Sequence, residues 1–162
     1  MLASLDMSAP SISSLLQALE QKLLSMPPVR ALGLSIADYD GERLVLRAPL
    51  AANVNDKGSA FGGSLASLMT LAAWGLTTLK LDEVGLRAEV YVQDSQLRYI
   101  KPLYDDLRIE ARLAPDQDWT GFRAAFASRG KARATLTATA LDASGGAVTG
   151  FDGRFVALRG SA

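Results

Sequence analysis

The stretch NVNDKGSAFGGSLASLMTLAAWGLTTLKL, residues 53–81, opens on asparagines and glycines and then runs from Gly58 to Leu79 without one charged side chain. Over 62–80 the pattern predicts a helix that is apolar nearly all the way round. Such a helix must be covered on most of its sides. A flat sheet covers one side only, whereas a curved sheet wrapped around the helix covers far more. The uncharged run is long enough to span a bilayer. However, it holds Gly58, Gly62, Gly63 and Gly75 together with Ser59, Ser64, Ser67, Thr70, Thr77 and Thr78, and it lies among soluble-looking amphipathic segments. It is therefore read as a buried central helix, and no membrane insertion is expected.

The flanking segments supply the wrap. Residues 11–25 place Ile12, Leu15, Leu16, Leu19, Leu23 and Leu24 at helical spacing, with Ser11 or Ser13 as the cap and Met26-Pro27-Pro28 as the stop. Two strands, LGLSIADY and ERLVLRAPL, meet at Asp40-Gly41, a hairpin signal. Beyond the helix, RAEVYVQDSQLRYIKPL reads as a long extended segment ending at Pro102. LRIEARL and KARATLTATAL alternate, the second with Ala132, Ala134, Leu136, Ala138 and Ala140 on one face. That small-residue face lets a sheet approach a bulky helix closely. Ser144-Gly145-Gly146 makes a turn before AVTGFDGRFVAL, and DWTGFRAAFAS has the spacing of a short helix. The expectation is one α+β domain over 1–162, with an N-terminal helical segment over 1–25 and a curved antiparallel sheet around the helix at 62–80.

Composition narrows the chemistry. The 162 residues suffice for a sizeable core in one domain. Lys plus Arg and Asp plus Glu balance at 17 each, so no strong field attracts nucleic acid. There is no cysteine and no histidine. This excludes disulfides and thiol chemistry, Ser-His-Asp and Cys-His nucleophile systems, His-containing metal sites and His as general base. No metal site is expected. The N-terminus carries Asp6 and no basic residue before its apolar part, unlike a signal peptide, so a cytoplasmic location is expected.

The element order, with Asn55, KGSAFGGSL, Trp74-Gly75, GKARATL and the closing FDGRFVAL, resembles the hotdog fold and, more narrowly, the thioesterase family typified by the C-terminal domain of YiiD. The resemblance covers roughly residues 20–158. It implies a subunit that pairs with a second copy as a homodimer or dimer of dimers. It also implies acyl groups on coenzyme A or acyl carrier protein as substrates; no cofactor is expected. Hotdog thioesterases often show Asn, then His-Gly-Gly, then an acid about two helical turns on. Here Asn55, Gly62 and Gly63 match, Phe61 stands at the His position and Thr70 at the acid position. The mechanism that uses that acid is therefore not carried over. A dehydratase on this fold resembles it but relies on a His, which this chain lacks.

A helix N-terminus offers free backbone N–H groups and the positive end of the dipole, and glycines let a ligand approach that backbone. Gly62 and Gly63 can thus aim N–H groups at a thioester carbonyl as an oxyanion hole, with Gly63 as the catalytic donor and Gly62 and Phe61 beside the substrate. The alternative is that these glycines only permit tight packing. Asn55 can hold the attacking water or the carbonyl, or can simply organise an Asx-turn. Asp94, which interrupts a strand, is the candidate base, with Asp56 as runner-up. A surface or bulge position is the alternative for Asp94. Ser64 and Ser67 lie on the substrate side of the helix, Ser64 also being a natural cap. Arg129, Lys131 and Arg133 can meet coenzyme A phosphates or an acidic carrier protein, or form a solvated charged face. Two functions remain open: hydrolysis of an acyl thioester by direct attack of water at a subunit interface, and non-catalytic binding or sensing of the same ligand.

Overall fold

Ser11 caps the first helix, its hydroxyl accepting from the Ser14 N–H at 3.1 Å, and α1 runs Ile12–Leu24 with Leu19 and Leu23 in the core. A computed structural model of the chain describes residues 8–160, so the part of the expected N-terminal segment at 1–7 lies outside the described residues. Met26-Pro27-Pro28 ends α1 as expected, but it also starts something. Proline is at home in a first helical turn, where no partner for its missing N–H is needed. Pro27–Arg30 accordingly form a one-turn helix, α2. Strands β1, Ser35–Tyr39, and β2, Arg43–Ala48, form the hairpin at Asp40-Gly41. There Asp40 Oδ1 accepts from the N–H groups of Glu42 and Arg43, and Gly41 sits at φ 97°.

The uncharged stretch becomes α3, Gly62–Asp82, two residues longer than expected because Lys80 does not end it. The Lys80 ammonium lies over the Tyr39 ring and 3.4 Å from Glu83, so its charge is met within the fold. The remaining elements are β3, Glu89–Tyr99; β4, Leu107–Leu113; α4, Trp119–Arg129; β5, Lys131–Leu141; and β6, Ala147–Leu158. Gly121, which weakens α4 on paper, sits in its first turn, where Asp118 caps both Thr120 and Gly121 N–H groups.

All six strands pair antiparallel in the order β1-β2-β4-β5-β6-β3. α3 packs against β2 through β6, giving the hotdog arrangement of a curved sheet around a long central helix. Leu68, Met69, Ala72, Ala73, Leu76 and Leu79 are fully buried. The alanine face of β5 turns inward, with Ala132, Ala134, Ala138 and Ala140 all buried. β3 follows α3 in the chain yet, among the described residues, pairs only with β6, leaving its other edge open. No helix among the described residues is long and apolar enough to cross a membrane.

Two substitutions test this packing. Leu68→Ala should cost about 2–5 kcal/mol, since the cavity cannot collapse between helix and sheet. Ala138→Leu should cost about 1–3 kcal/mol by overpacking the face that lets α3 approach. Urea unfolding of both proteins checks the pair.

Candidate active site

The loop before α3 is held on three sides. The Asn53 carbonyl accepts from Phe61 N–H at 2.7 Å, Ala60 N–H donates to the Leu103 carbonyl at 2.8 Å, and Val54 bridges to Ala60. Asn53 is 3% exposed, and its amide donates to the Leu32 and Pro49 carbonyls at 2.8 and 2.9 Å. Asn55 works inside the loop. Its Oδ1 accepts from the N–H groups of Lys57 and Ser59, and its Nδ2 donates to Ser59 Oγ at 2.9 Å. The Asx-turn alternative for Asn55 is thus the geometry found. Asp56 lies exposed beside Lys57.

This loop delivers an uncapped helix. The N-cap residue is Phe61, no side chain caps α3, and Ser64 is therefore not the cap. The N–H groups of Gly62, Gly63 and Ser64 find no acceptor among the described residues; Leu65 is the first to find one, the Phe61 carbonyl at 3.1 Å. The Phe61 ring is about half exposed and folds over Gly63, where an added Cβ would lie 2.6 Å from Cε1. Tyr99, at the end of β3, donates its hydroxyl to the Gly62 carbonyl at 2.9 Å. Two aromatic rings thus flank the free N–H groups.

One turn further along α3, a groove of about 390 Å³ opens between Pro28 and Leu32 on one side, Leu97 of β3 on the other, and Ala66, Ser67 and Thr70 at its floor. Thr70 does not offer its hydroxyl proton to the groove, because Oγ1 donates to the Ala66 carbonyl at 2.8 Å.

Against this geometry, the model of the family described as "Putative thioesterase (yiiD_Cterm)" matches residues 16–159. The chain belongs to this thioesterase family. Among solved structures, a protein of unknown function from Chlorobaculum tepidum is 29% identical with a TM-score of 0.86, covering 94% of this chain and 99% of its own. A protein titled "putative thioesterase" from Shewanella oneidensis is 27% identical with a TM-score of 0.81, covering 91% and 99%. A thioesterase from Haemophilus influenzae, 12% identical with a TM-score of 0.69 over 94% and 93%, shares the fold.

Not every predicted residue of this thioesterase-family site gathers at the glycines. In β3 the register slips by one residue between Val92 and Asp94. Val92 and Leu97 lie opposite the buried Phe155 and Phe151, on the α3 side, while Asp94 lies opposite Arg154. Asp94 is therefore turned to the outer face. Its carboxylate takes the Arg154 guanidinium with both oxygens, which lowers its pKa below the usual range. A charge-stabilised carboxylate on the far face is poorly placed as a base for chemistry at Gly63.

Arg129, Lys131 and Arg133 do come together, lining a groove of about 710 Å³ between α4 and β5. This groove is at the other end of the sheet. Lys131 pairs with Leu158, which pairs with Glu89 at the start of β3, whereas Tyr99 at the glycines ends that strand. The ends of β3 are about 33 Å apart. Asn53 and Tyr99 carried no sequence signal, because their roles depend on which strand end meets α3.

The two Asn55 contacts to backbone N–H are the testable part of the loop. Asn55→Ala should lower stability by about 1–3 kcal/mol, whereas Asn55→Asp, which keeps both acceptor contacts, should retain most of it. Thermal melts of the two variants decide the point.

Proposed function

We propose that this protein hydrolyses acyl thioesters of coenzyme A or acyl carrier protein by direct attack of water, the thioester carbonyl resting on the free N–H groups of Gly62 and Gly63. The observation that carries this reading is the uncapped, glycine-led N-terminus of α3, opening onto an apolar groove. A developing oxyanion is stabilised there by fixed dipoles that need no reorganisation. Membership of a thioesterase family supports it.

A second copy would complete the site. The open edge of β3 presents eleven residues paired on one side only, with Tyr91, Val92, Tyr99 and Ile100 exposed along or just beyond it. Such an edge invites pairing with an identical strand about a two-fold axis. Antiparallel pairing would bring the start of the partner's strand toward Tyr99. The partner's basic groove would then lie nearer these glycines than the protomer's own, and could take the coenzyme A phosphates. Ser67, at the floor of the groove, belongs to the substrate side of this reading, whereas Ser64 is buried away from it, and a cytoplasmic location is consistent with the reading.

A non-catalytic binder is the second reading, favoured by Phe61 in place of a His, Thr70 turned back on its own helix and Asp94 turned to the outer face. Thiol release from short to long acyl-coenzyme A esters, repeated with carrier-protein esters, separates the two. Saturable release is expected; none across both panels would leave the binder. Gly62→Pro removes one donor at the first helical position, where proline fits and an added Cβ would lie 3.4 Å from the Tyr99 ring, and should lower kcat by about 10²-fold or more. Asp94→Asn should leave turnover within about twofold, since an exposed ion pair contributes little. Light scattering should show a dimer or larger at micromolar concentration.

A further inference from the structure

The solvent-facing stripe of α3 has a beginning and an end. Along a helix otherwise enclosed by the sheet, Gly62, Gly63, Ala66, Ser67, Thr70, Leu71 and Trp74 are the positions not buried before the last residue, Asp82, and from Gly75 to Leu81 every residue is buried. These positions follow the three- and four-residue spacing of one helix face, so they form a single track leading away from the free N–H groups. Trp74 is the last position of that track, one turn beyond the residues that line the groove. Its indole N–H donates to the Val90 carbonyl of β3 at 2.7 Å, and the Lys22 ammonium of α1 sits 5.4 Å from the ring centroid. The ring is thus held from both walls, by β3 on one side and α1 on the other. At the next residue, Gly75, a Cβ would lie 3.2 Å from Leu44 Cδ2 and 3.5 Å from Leu19 Cδ2, so β2 and α1 pack directly against the helix there.

From Gly63 to Trp74 the helix advances about 16 Å at 1.5 Å per residue. An extended chain advances about 1.2 Å per bond, as three backbone bonds span about 3.5 Å. Van der Waals clearance from the indole takes up about 4 Å of the track. We infer that the groove takes a medium-chain acyl group, of about eight to twelve carbons, and that Trp74 is the specificity-determining residue that ends it. The floor suits such a chain: Ala66 and Ser67 are small, Thr70 has its hydroxyl proton occupied, and Leu71 and Leu97 are apolar. This inference rests on the thioester reading of the Gly62–Gly63 end. It also gives the Trp-Gly pair a role: a closed end and the glycine that lets β2 and α1 pack against the helix beside it.

The test uses the full-length protein with butyryl-, decanoyl- and palmitoyl-coenzyme A. The matching S-alkyl thioethers, which cannot be hydrolysed, are used for binding by calorimetry. Decanoyl should be the preferred ester, with kcat/KM for palmitoyl at least about tenfold lower. Trp74→Ala should raise the palmitoyl-to-decanoyl ratio by about tenfold or more, and Ser67→Phe, at an exposed position that leaves the core alone, should move the preference to butyryl. Unchanged ratios in both folded variants overturn the inference. Absence of thiol release, with thioether binding that prefers the decyl chain and loses that preference in Trp74→Ala, upholds the groove and removes the hydrolase reading instead. Thioether binding with no dependence on chain length overturns the groove, and would fit a stripe covered by a partner's helix.

Discussion

A helix with no polar face cannot stand at a surface. α3 carries no charge from Gly62 to Leu79, and its burial is the constraint from which the rest of the architecture follows. At about 25 cal/mol per Å² of apolar surface, leaving such a segment exposed would outweigh any other single contribution in a domain of this size. The sheet therefore curves, α1 closes one flank, and the alanines of β5 shorten the distance between strand and helix. The polar hub of Tyr39, Lys80, Glu83 and Arg123 gathers at the C-terminal end of α3, where the helix emerges from the core and charges must be paired.

The opposite end of the same helix is left open, and the proposed function rests on that asymmetry. A fully wrapped helix would bury its first N–H groups and require a cap. Here the loop over 53–61 is held by backbone bonds and by Asn53 and Asn55, so the turn into α3 is fixed without a side chain hydrogen-bonding to the helix terminus. Glycine at 63 leaves room for the Phe61 ring over the backbone. The helix dipole, the free donors and the adjoining groove thus arise from one local arrangement rather than from separate parts of the fold.

The bulge in β3 shows how a single inserted residue redistributes chemistry. Without it, alternation would carry Asp94 to the same side as Val90 and Val92, toward α3. With it, Ser95, Leu97 and Tyr99 take that side and Asp94 meets Arg154 outside. Strand-disfavouring Asp marked the irregularity correctly, since aspartate in a strand needs such a place. The direction of its side chain was invisible, because it depends on the register against β6.

Local pattern was enough for the elements themselves. The helical stripe of α1, the Asp40-Gly41 turn, the alternation in β4 and β5, and the apolar circumference of α3 are all statements about spacing along one chain, and each settled into the element it predicts. The requirement for a curved sheet followed from α3 alone, since an all-round apolar helix admits few partners. The glycine pair, too, was legible as the start of that helix. Only the tertiary structure decided that β3 returns to the far edge beside β6, that Tyr99 meets Gly62 while the basic cluster lies a strand-length away, and that Asn55 turns into its own loop. Each of these depends on pairings between residues distant in sequence, whose energies are set by register and packing rather than by the residues' own preferences.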